Sequence, residues 1–164
     1  MRIIVFSDSH GRTGNLFDVV EKHRNTTDMF IHLGDGEPEA DMVKTAYPEI
    51  DLRYVRGNCD INSGAPMSLL IEADFGRKIY ATHGHMMSVK YGIGTILKEA
   101  KSQGADIVLF GHTHERFSYY DSDSGIYLLN PGSLSEPRDG KGKSYGVIDI
   151  VKSGVVMNIA DFLN

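Results

Sequence analysis

Five short segments of the sequence end in side chains that bind metal ions well, and each follows an apolar stretch with the character of a strand. Their ligands are carboxylates, imidazoles and one amide, with a single cysteine among them and no second thiolate. This mixed nitrogen and oxygen set suits Mn, Fe or Zn in a hydrolytic centre better than a structural zinc site. In chain order the segments are Asp8-Ser9-His10, Gly34-Asp35, Gly57-Asn58-Cys59-Asp60, Thr82-His83-Gly84-His85 and Gly111-His112-Thr113-His114.

The spacing inside two of these segments allows two side chains to reach one ion. Asp8 and His10 are two residues apart directly after a predicted strand, and residues i and i+2 of an extended chain point to the same side. His112 and His114 repeat this spacing. Because open α/β sheets bind ligands at the carboxyl ends of their strands, we expect all five segments to meet at one sheet edge.

Strands and helices alternate in the first two thirds of the sequence, and the last third has the pattern of strands alone. Helices are predicted at Gly14–His23, with Thr13 as N-cap, at Pro38–Ala46 and at Tyr91–Ser102. The pattern predicts one domain, residues 1–164, with two sheets face to face and helices outside. Strands are predicted at Arg2–Ser7, Met29–Leu33, Asp51–Val55, Met67–Ala73, Lys78–Thr82, Ile107–Phe110, Arg116–Tyr120, Ile126–Leu129, Ser144–Val151 and Val155–Asp161.

Composition restricts the class of protein and its partners. No apolar run approaches the roughly 20 residues of a membrane helix, and the first residues predict a strand rather than a signal peptide. The single Cys59 cannot form an internal disulfide, so we expect a reducing, cytoplasmic location and no membrane partner. The net charge of −5 without a basic block argues against long nucleic acid as a partner, but not against a small phosphodiester. A homo-oligomer such as a dimer is left open.

Taken in order, the five motifs resemble those of the calcineurin-like metallophosphoesterases. The short length and the Gly57-Asn58-Cys59-Asp60 version are most similar to the small bacterial and archaeal phosphodiesterases of the YfcE type. The resemblance runs from Met1 to about Ser133. It implies an α/β (α+β) fold, a four-layer αββα sandwich of two mixed β-sheets flanked by helices, with a dinuclear metal centre at the sheet edges.

The resemblance also implies two divalent metal ions and a ligand set for each. Mn is favoured, with Ni, Zn, Fe or Mg as alternatives, and Asp35, Asn58 and His112 are the expected catalytic members of the centre. Two ions about 3.5–4 Å apart repel each other, and a shared carboxylate with a bridging hydroxide offsets this repulsion and supplies a nucleophile. By motif, one ion takes Asp8, His10 and His114, the other takes Asn58, His83 and His112, and Asp35 bridges them.

Cys59 is where the sequence departs from the wider superfamily. Many members have His after the metal-binding Asn, and that His is thought to help protonate the leaving group. A thiol is a poor replacement for a general acid, which typically contributes about 10²–10⁴-fold. The sequence therefore predicts an enzyme that depends on good leaving groups, or on a substrate that supplies its own proton. The simpler interpretation of Cys59 is a small packing residue without a chemical role.

Other polar residues near the motifs have simpler interpretations. His23 and His32 are expected to pack or to lie on the surface. His85 is either a contact to the substrate or outer ligand shell, or a loop residue. Asp60 could orient the metal ligands, although a turn-forming Asp is favoured slightly. Arg138, like Arg56, could meet a phosphate, although a single Arg is more often solvated or structural.

Three functions are compatible with these motifs. The leading hypothesis is a metal-dependent phosphodiesterase, and the second is a phosphomonoesterase, including a phosphoprotein phosphatase. The third is a non-catalytic protein-binding scaffold, because a eukaryotic retromer subunit uses a similar fold for protein contacts. A scaffold need not keep every ligand, and here all seven positions carry competent side chains, which favours catalysis.

Overall fold

Strands from both ends of the chain form the first sheet, sheet A. Its members are β1 (Arg2–Phe6), β2 (Met29–His32), β3 (Leu52–Tyr54), β9 (Ser144–Val151) and β10 (Gly154–Asp161). In the computed structural model, which describes residues 1–163, their order is β10-β9-β1-β2-β3. β1 pairs in parallel with β2, and β2 with β3, whereas β9 is antiparallel to both of its neighbours. The sheet is therefore mixed, and its parallel part comes from the first third of the chain.

The middle of the chain forms the second sheet, sheet B. Its members are β4 (Ser68–Glu72), β5 (Lys78–Thr82), β6 (Ile107–Leu109), β7 (Arg116–Asp121) and β8 (Ile126–Pro131). Their order is β4-β5-β6-β8-β7. β5, β6 and β8 are parallel, and the two edge strands pair antiparallel with their neighbours.

The alternation of side chains along the central strands produces four layers. Ile3 and Val5 of β1 belong to the apolar core between the two sheets. Ile4 and Phe6 point the other way, into a core with α1 (Thr13–His23) and α2 (Glu37–Ala46). The helix α3 (Gly94–Ser102) covers sheet B in the same manner. A stretch of strand that is buried on both faces must be apolar, which is why residues 3–6 of β1 form an unbroken hydrophobic run.

This architecture of two mixed five-stranded sheets with helices outside confirms the predicted fold class. No helix of residues 1–163 has the length and apolar character required to cross a membrane.

Two predictions about helix starts were wrong. Thr13 is the first residue of α1, and Arg12 occupies the cap position without a side-chain hydrogen bond. α3 begins at Gly94 rather than Tyr91, because Gly92 has a φ of 142° that no helix accommodates. The residues before it form two short 3₁₀ turns instead, His85–Met87 and Val89–Tyr91.

Candidate metal centre

The five motif segments meet where the carboxyl ends of the parallel strands of both sheets face each other. Backbone hydrogen bonds tie the segments together across this edge: the Asp8 amide donates to the Gly34 carbonyl at 3.1 Å, and the Gly111 amide donates to the His83 carbonyl at 3.1 Å. The site therefore receives side chains from both sheets. We call it the candidate metal centre, and it consists of Asp8, His10, Asp35, Asn58, His83, His112 and His114.

Asp8, His10 and His114 form one compact group of ligand atoms. A carboxylate oxygen and two imidazole nitrogens of these residues lie within 4.8 Å of one another. The Nε2 atoms of His10 and His114 are 3.3 Å apart, and His114 Nε2 is 3.1 Å from Asp8 Oδ1. Asp8 is fully buried and His114 nearly so, whereas His10 is partly open to solvent. The structure thus brings together the three residues that the motifs assign to one ion.

His83 is the centre of a second group. Its Nε2 lies 3.4 Å from Asp35 Oδ2 and 3.1 Å from Asn58 Oδ1. The ring centroid of His112 is 5.0 Å from that of His83, in an edge-on arrangement. Asp35 also faces the first group, because its Oδ2 lies 3.9 Å from His10 Nε2. Its position between the two groups is the one that a bridging carboxylate requires.

Two buried histidines are held with one nitrogen aimed into the centre. His83 Nδ1 is 2.7 Å from the Leu33 carbonyl, and His114 Nδ1 is 2.8 Å from the Glu136 carbonyl. A carbonyl can only accept, so Nδ1 carries the proton in both rings and Nε2 of the neutral ring presents a lone pair. Metal-binding histidines are typically fixed in this way by a backbone carbonyl or carboxylate.

The geometry around His114 Nε2 fits a bound cation. In the neutral ring this atom is a bare acceptor, yet it faces Asp8 Oδ1 at 3.1 Å and His10 Nε2 at 3.3 Å. Asp8 Oδ1 is buried and accepts no well-directed hydrogen bond from residues 1–163. Converging lone pairs repel unless a proton or a cation lies between them. The residues present therefore suit a divalent ion held by oxygen and imidazole ligands.

The backbone at the centre is strained. A positive φ is uncommon for residues other than glycine, and such conformations concentrate at functional sites. Gly57 shows how tightly these loops approach, because a Cβ there would collide with the backbone and carboxylate of Asp35. Five of the seven residues of the candidate metal centre have a positive φ, namely Asp8 (55°), His10 (42°), Asp35 (56°), His112 (68°) and His114 (60°).

The charged groups of the centre stabilise one another. Burial opposes ionisation of Asp35, but hydrogen bonding and attraction from His83 outweigh it and lower the pKa of the carboxyl far below its usual value. The pKa of Asp8 is also lowered, as His114 and His83 outweigh its burial. Burial opposes the charged rings of His83 and His114, but Asp35 and Asp8 raise the pKa of His83 above 6.5, and Asp8 does the same for His114. The two carboxylates thus favour positive charge at this centre.

We expect the affinity for Mn²⁺ to rise as the pH rises through the raised pKa values of His83 and His114. Protons held by these rings must leave when a cation binds, so binding should release protons near neutral pH and fewer at higher pH. Calorimetric titrations in buffers of different ionisation enthalpy count these protons. Proton uptake, or an affinity that falls between about pH 6 and 8, would contradict this linkage.

The pKa of His112 is shifted in the opposite direction to those of His83 and His114. Burial, followed by the charge of the neighbouring His83, lowers its pKa to about 4. Its ring is therefore neutral near pH 7 and can accept a cation without first losing a proton. The His112 amide donates to Asp8 Oδ2 at 3.1 Å, which links the last motif to the first.

Asp60 supports the backbone around Asp35, whereas the sequence slightly favoured a turn-forming Asp at this position. Its buried carboxylate accepts four backbone amides, those of Asp35 (2.8 Å), Gly36 (2.9 Å), Glu37 (3.1 Å) and Gly57 (2.7 Å). Three of these donors lie in the loop that carries Asp35. Asp60 therefore fixes the backbone of the central carboxylate, and the interpretation as a simple turn was wrong.

Glu39 is a second support of the candidate metal centre, and its role was not predicted from the sequence. Glu39 is buried in the first turn of α2 and accepts from the Ser9 hydroxyl at 3.1 Å and from the Gly11 amide. His32 is fully buried and lies 3.0 Å from the same Ser9 hydroxyl, so it packs as expected but also supports the Asp8 loop. In the sequence, Glu39 looks like an ordinary acidic residue at a helix start.

Cys59 and His85 lie at the edge of the centre. The Cys59 amide donates to Asp35 Oδ1 at 2.7 Å, and its thiol lies within 4.8 Å of ligand atoms of His10 and Asp35. Although the residue is exposed as a whole, partial desolvation of its thiol, followed by the Asp35 carboxylate, raises the pKa of that thiol to about 11. The His85 ring centroid is 5.3 Å from that of His83, so His85 borders the centre.

His23 lies elsewhere in the fold. It is part-buried on α1 with Nε2 2.9 Å from the Tyr145 hydroxyl, which agrees with the packing role expected for it.

Comparison with known proteins assigns the chain to a family. Residues 1–153 match the calcineurin-like phosphoesterase superfamily domain. The probable metallophosphoesterase YsnB of Bacillus subtilis is 32% identical over 162 residues, which cover 98% of this chain and 91% of YsnB. The phosphodiesterase YfcE of Escherichia coli is 32% identical over 105 residues, which cover 58% of this chain and 50% of YfcE.

A solved structure agrees with the sequence relatives. A predicted phosphoesterase from Streptococcus pneumoniae superimposes with a TM-score of 0.83 at 29% identity, covering 98% of this chain and 88% of that one. The match extends over nearly the whole of both chains, so it includes both sheets and the edge where the motifs meet. The chain is a member of the calcineurin-like phosphoesterase superfamily, as its five motifs predicted.

Proposed function

We propose that this chain is a phosphodiesterase that depends on two divalent metal ions, with Mn as the preferred metal. Asp8, His10 and His114 hold one ion, and Asp35 is shared between the two. Asn58, His83 and His112 hold the second. The observation that carries the proposal is the convergence of bare acceptor atoms from both sheets on one point, where His114 Nε2 faces Asp8 Oδ1 at 3.1 Å.

The charge balance of the candidate metal centre favours binding of a phosphate. When bound, two divalent ions supply Lewis-acid charge and lower the pKa of a water molecule that can attack phosphorus. Asp8 and Asp35 are ionised at neutral pH, and Asn58 contributes a neutral oxygen, so the ligands leave a net positive charge. Asn58 and Cys59 are exposed, which marks the side from which an anionic substrate enters.

A comparison of two substrates tests the proposal. Metal-stripped protein should regain activity when Mn²⁺ is added, with Ni²⁺, Zn²⁺ and Mg²⁺ in parallel, and kcat/KM should be higher for bis(p-nitrophenyl) phosphate than for p-nitrophenyl phosphate. Elemental analysis should find two ions per chain. A preference for the monoester would make the enzyme a phosphomonoesterase. Failure of every metal to restore hydrolysis of either substrate would support a non-catalytic scaffold, and a limit of one ion per chain would exclude the dinuclear centre.

Variants of Cys59 should separate substrates by their leaving groups. A thiol is a weak proton donor to a departing alkoxide, and two cations beside it would favour the thiolate, which cannot donate a proton at all. We expect usable activity on aryl diesters, poor activity on unactivated alkyl diesters, and little change in aryl activity for Cys59→Ala. Cys59→His should raise kcat/KM for alkyl diesters more than for aryl diesters, because imidazole titrates near neutral pH.

The measurement is kcat/KM for one aryl and one alkyl diester in all three proteins, with metal content determined for each. Loss of aryl diester hydrolysis in Cys59→Ala at unchanged metal content would mean that Cys59 is itself catalytic.

A further inference from the structure

A cavity of about 660 Å³ opens beside the candidate metal centre. It is lined by the segment of 3₁₀ turns around Lys90 and Tyr91, by residues of the chain between Phe110 and Phe117, and by Arg138. Thr113 lines the cavity and lies between two residues of the centre in sequence, so the cavity and the centre share a border. The volume is in the range of about 300–1,000 Å³ typical of small-molecule sites.

The cavity carries cationic side chains that no internal ion pair neutralises. No carboxylate of residues 1–163 lies within 4.0 Å of the Lys90 ammonium or the Arg138 guanidinium. Arg116 also lines the cavity, but it is paired with Asp139 and Asp161 at 3.6 and 2.7 Å.

One lining carboxylate, that of Glu115, opposes these charges. The two unpaired cations exceed it, although the whole chain has a net charge of −5. The cavity is therefore locally positive in an acidic protein, and such a site attracts an anion.

Arg138 is fixed beside the candidate metal centre. Its amide donates to the His114 carbonyl at 3.0 Å. Lys90 and Thr113 line the same cavity as Arg138, and Thr113 lies between His112 and His114 in the sequence. A ligand that occupies the cavity and reaches the centre past Thr113 would therefore lie among side chains that include both cations.

The rest of the lining is apolar and partly aromatic. Val89, Ile93 and Phe117 form much of it, and the Tyr91 side chain at the rim is 93% exposed. An aromatic side chain left this open in a folded protein is available to stack on a planar ligand such as a nucleobase.

We propose that this cavity binds the nucleoside part of a phosphodiester that carries a second phosphate group. The base packs against Tyr91 and Phe117, the second phosphate contacts Lys90 and Arg138, and the diester to be cleaved lies on the candidate metal centre. The proposal rests on the proposed phosphodiesterase function and narrows its substrate to nucleotide diesters with an additional phosphate.

A matched pair of substrates isolates the second phosphate. Thymidine 5′-(p-nitrophenyl phosphate) and its 3′-phosphorylated form have the same scissile bond and the same leaving group. With Mn²⁺-loaded protein we expect KM to be about tenfold lower for the 3′-phosphorylated substrate, equivalent to about 1.4 kcal/mol. Lys90→Ala and Arg138→Ala should each remove most of this preference. Lys98→Ala, an exposed position on α3 outside the cavity lining, should keep it.

Binding measurements separate failure of this proposal from failure of the proposed function. By calorimetry, thymidine 3′,5′-bisphosphate should bind the Mn²⁺-loaded protein about tenfold more tightly than thymidine 5′-phosphate, and Lys90→Ala should abolish the difference. If bis(p-nitrophenyl) phosphate is hydrolysed but neither KM nor affinity responds to the second phosphate, the cavity proposal is overturned and the phosphodiesterase function stands. If no diester is hydrolysed, the proposed phosphodiesterase function is wrong. In that case the binding data still test the cavity, and equal affinities for the two nucleotides would overturn the cavity proposal as well.

Discussion

Asp35→Ala should abolish diester hydrolysis and strip the protein of most of its bound metal. The Asp35 carboxylate faces His83 Nε2 at 3.4 Å and His10 Nε2 at 3.9 Å, so it touches both ligand groups at once. Loss of a residue that only supports a metal ligand typically costs 10–100-fold in metal affinity or activity, and loss of a shared ligand should cost more than about 100-fold in kcat/KM.

Two control variants show whether this loss is specific. Asp123→Ala removes a carboxylate from the exposed turn between β7 and β8. His23→Ala removes an imidazole from α1 that contacts Tyr145 rather than the centre. Both should retain nearly full turnover and metal content, as determined by elemental analysis of proteins loaded in parallel. Comparable losses in Asp35→Ala and either control would show that the site assignment is wrong.

Asp60→Ala should be the most destabilising single substitution near the centre. It would leave four backbone amides without their acceptor, three of them in the loop that carries Asp35. Hydrogen bonds to a charged group contribute about 1.5–3 kcal/mol each, so even two uncompensated losses lower the free energy of unfolding by about 3 kcal/mol. Urea denaturation of the metal-free proteins measures the difference.

Asp60→Asn is the matched variant for this test. It keeps the size of the side chain and one acceptor oxygen, so its stability should lie between those of the wild type and Asp60→Ala. Metal affinity should fall in the same order, because the loop that holds Asp35 loses its support. If Asp60→Ala costs no more stability than the exposed Asp123→Ala, water replaces the carboxylate and Asp60 does not organise the loop.

The fold and the meeting of the motif segments at one sheet edge could be predicted from the sequence, because both depend on local pattern. Buried stretches of strand such as residues 3–6 of β1 are continuous apolar runs, and the motif residues follow them closely. Once the strands are placed in two sheets, their carboxyl ends define a common edge, and the five segments have no other place to meet. The structure brings all seven side chains to that edge.

The supports of the centre could not be predicted in the same way. Asp60 accepts hydrogen bonds from backbone amides up to 25 residues away. Every residue except proline has such an amide, so the sequence does not show which of them a carboxylate will bind. The role of Glu39 depends on Ser9, which lies 30 residues earlier. The cavity is lined by three separate segments of the chain. A role for Arg138 in binding an anion can be inferred only once the structure places it in the same lining as Lys90. Such long-range partners follow from tertiary packing rather than from periodicity.

The position of β1 has a consequence for synthesis on the ribosome. β1 lies in the middle of sheet A, and Arg2 pairs with Asp149, a partner 147 residues later in the chain. At translation rates of about 5–20 residues per second, β9 is synthesised roughly 7 to 28 seconds after the first strand. Until then one edge of an apolar strand is unpaired and open to aggregation. A nascent chain stalled before Ser144 should therefore be cleaved by protease in its N-terminal half, whereas release of β9 and β10 should protect it.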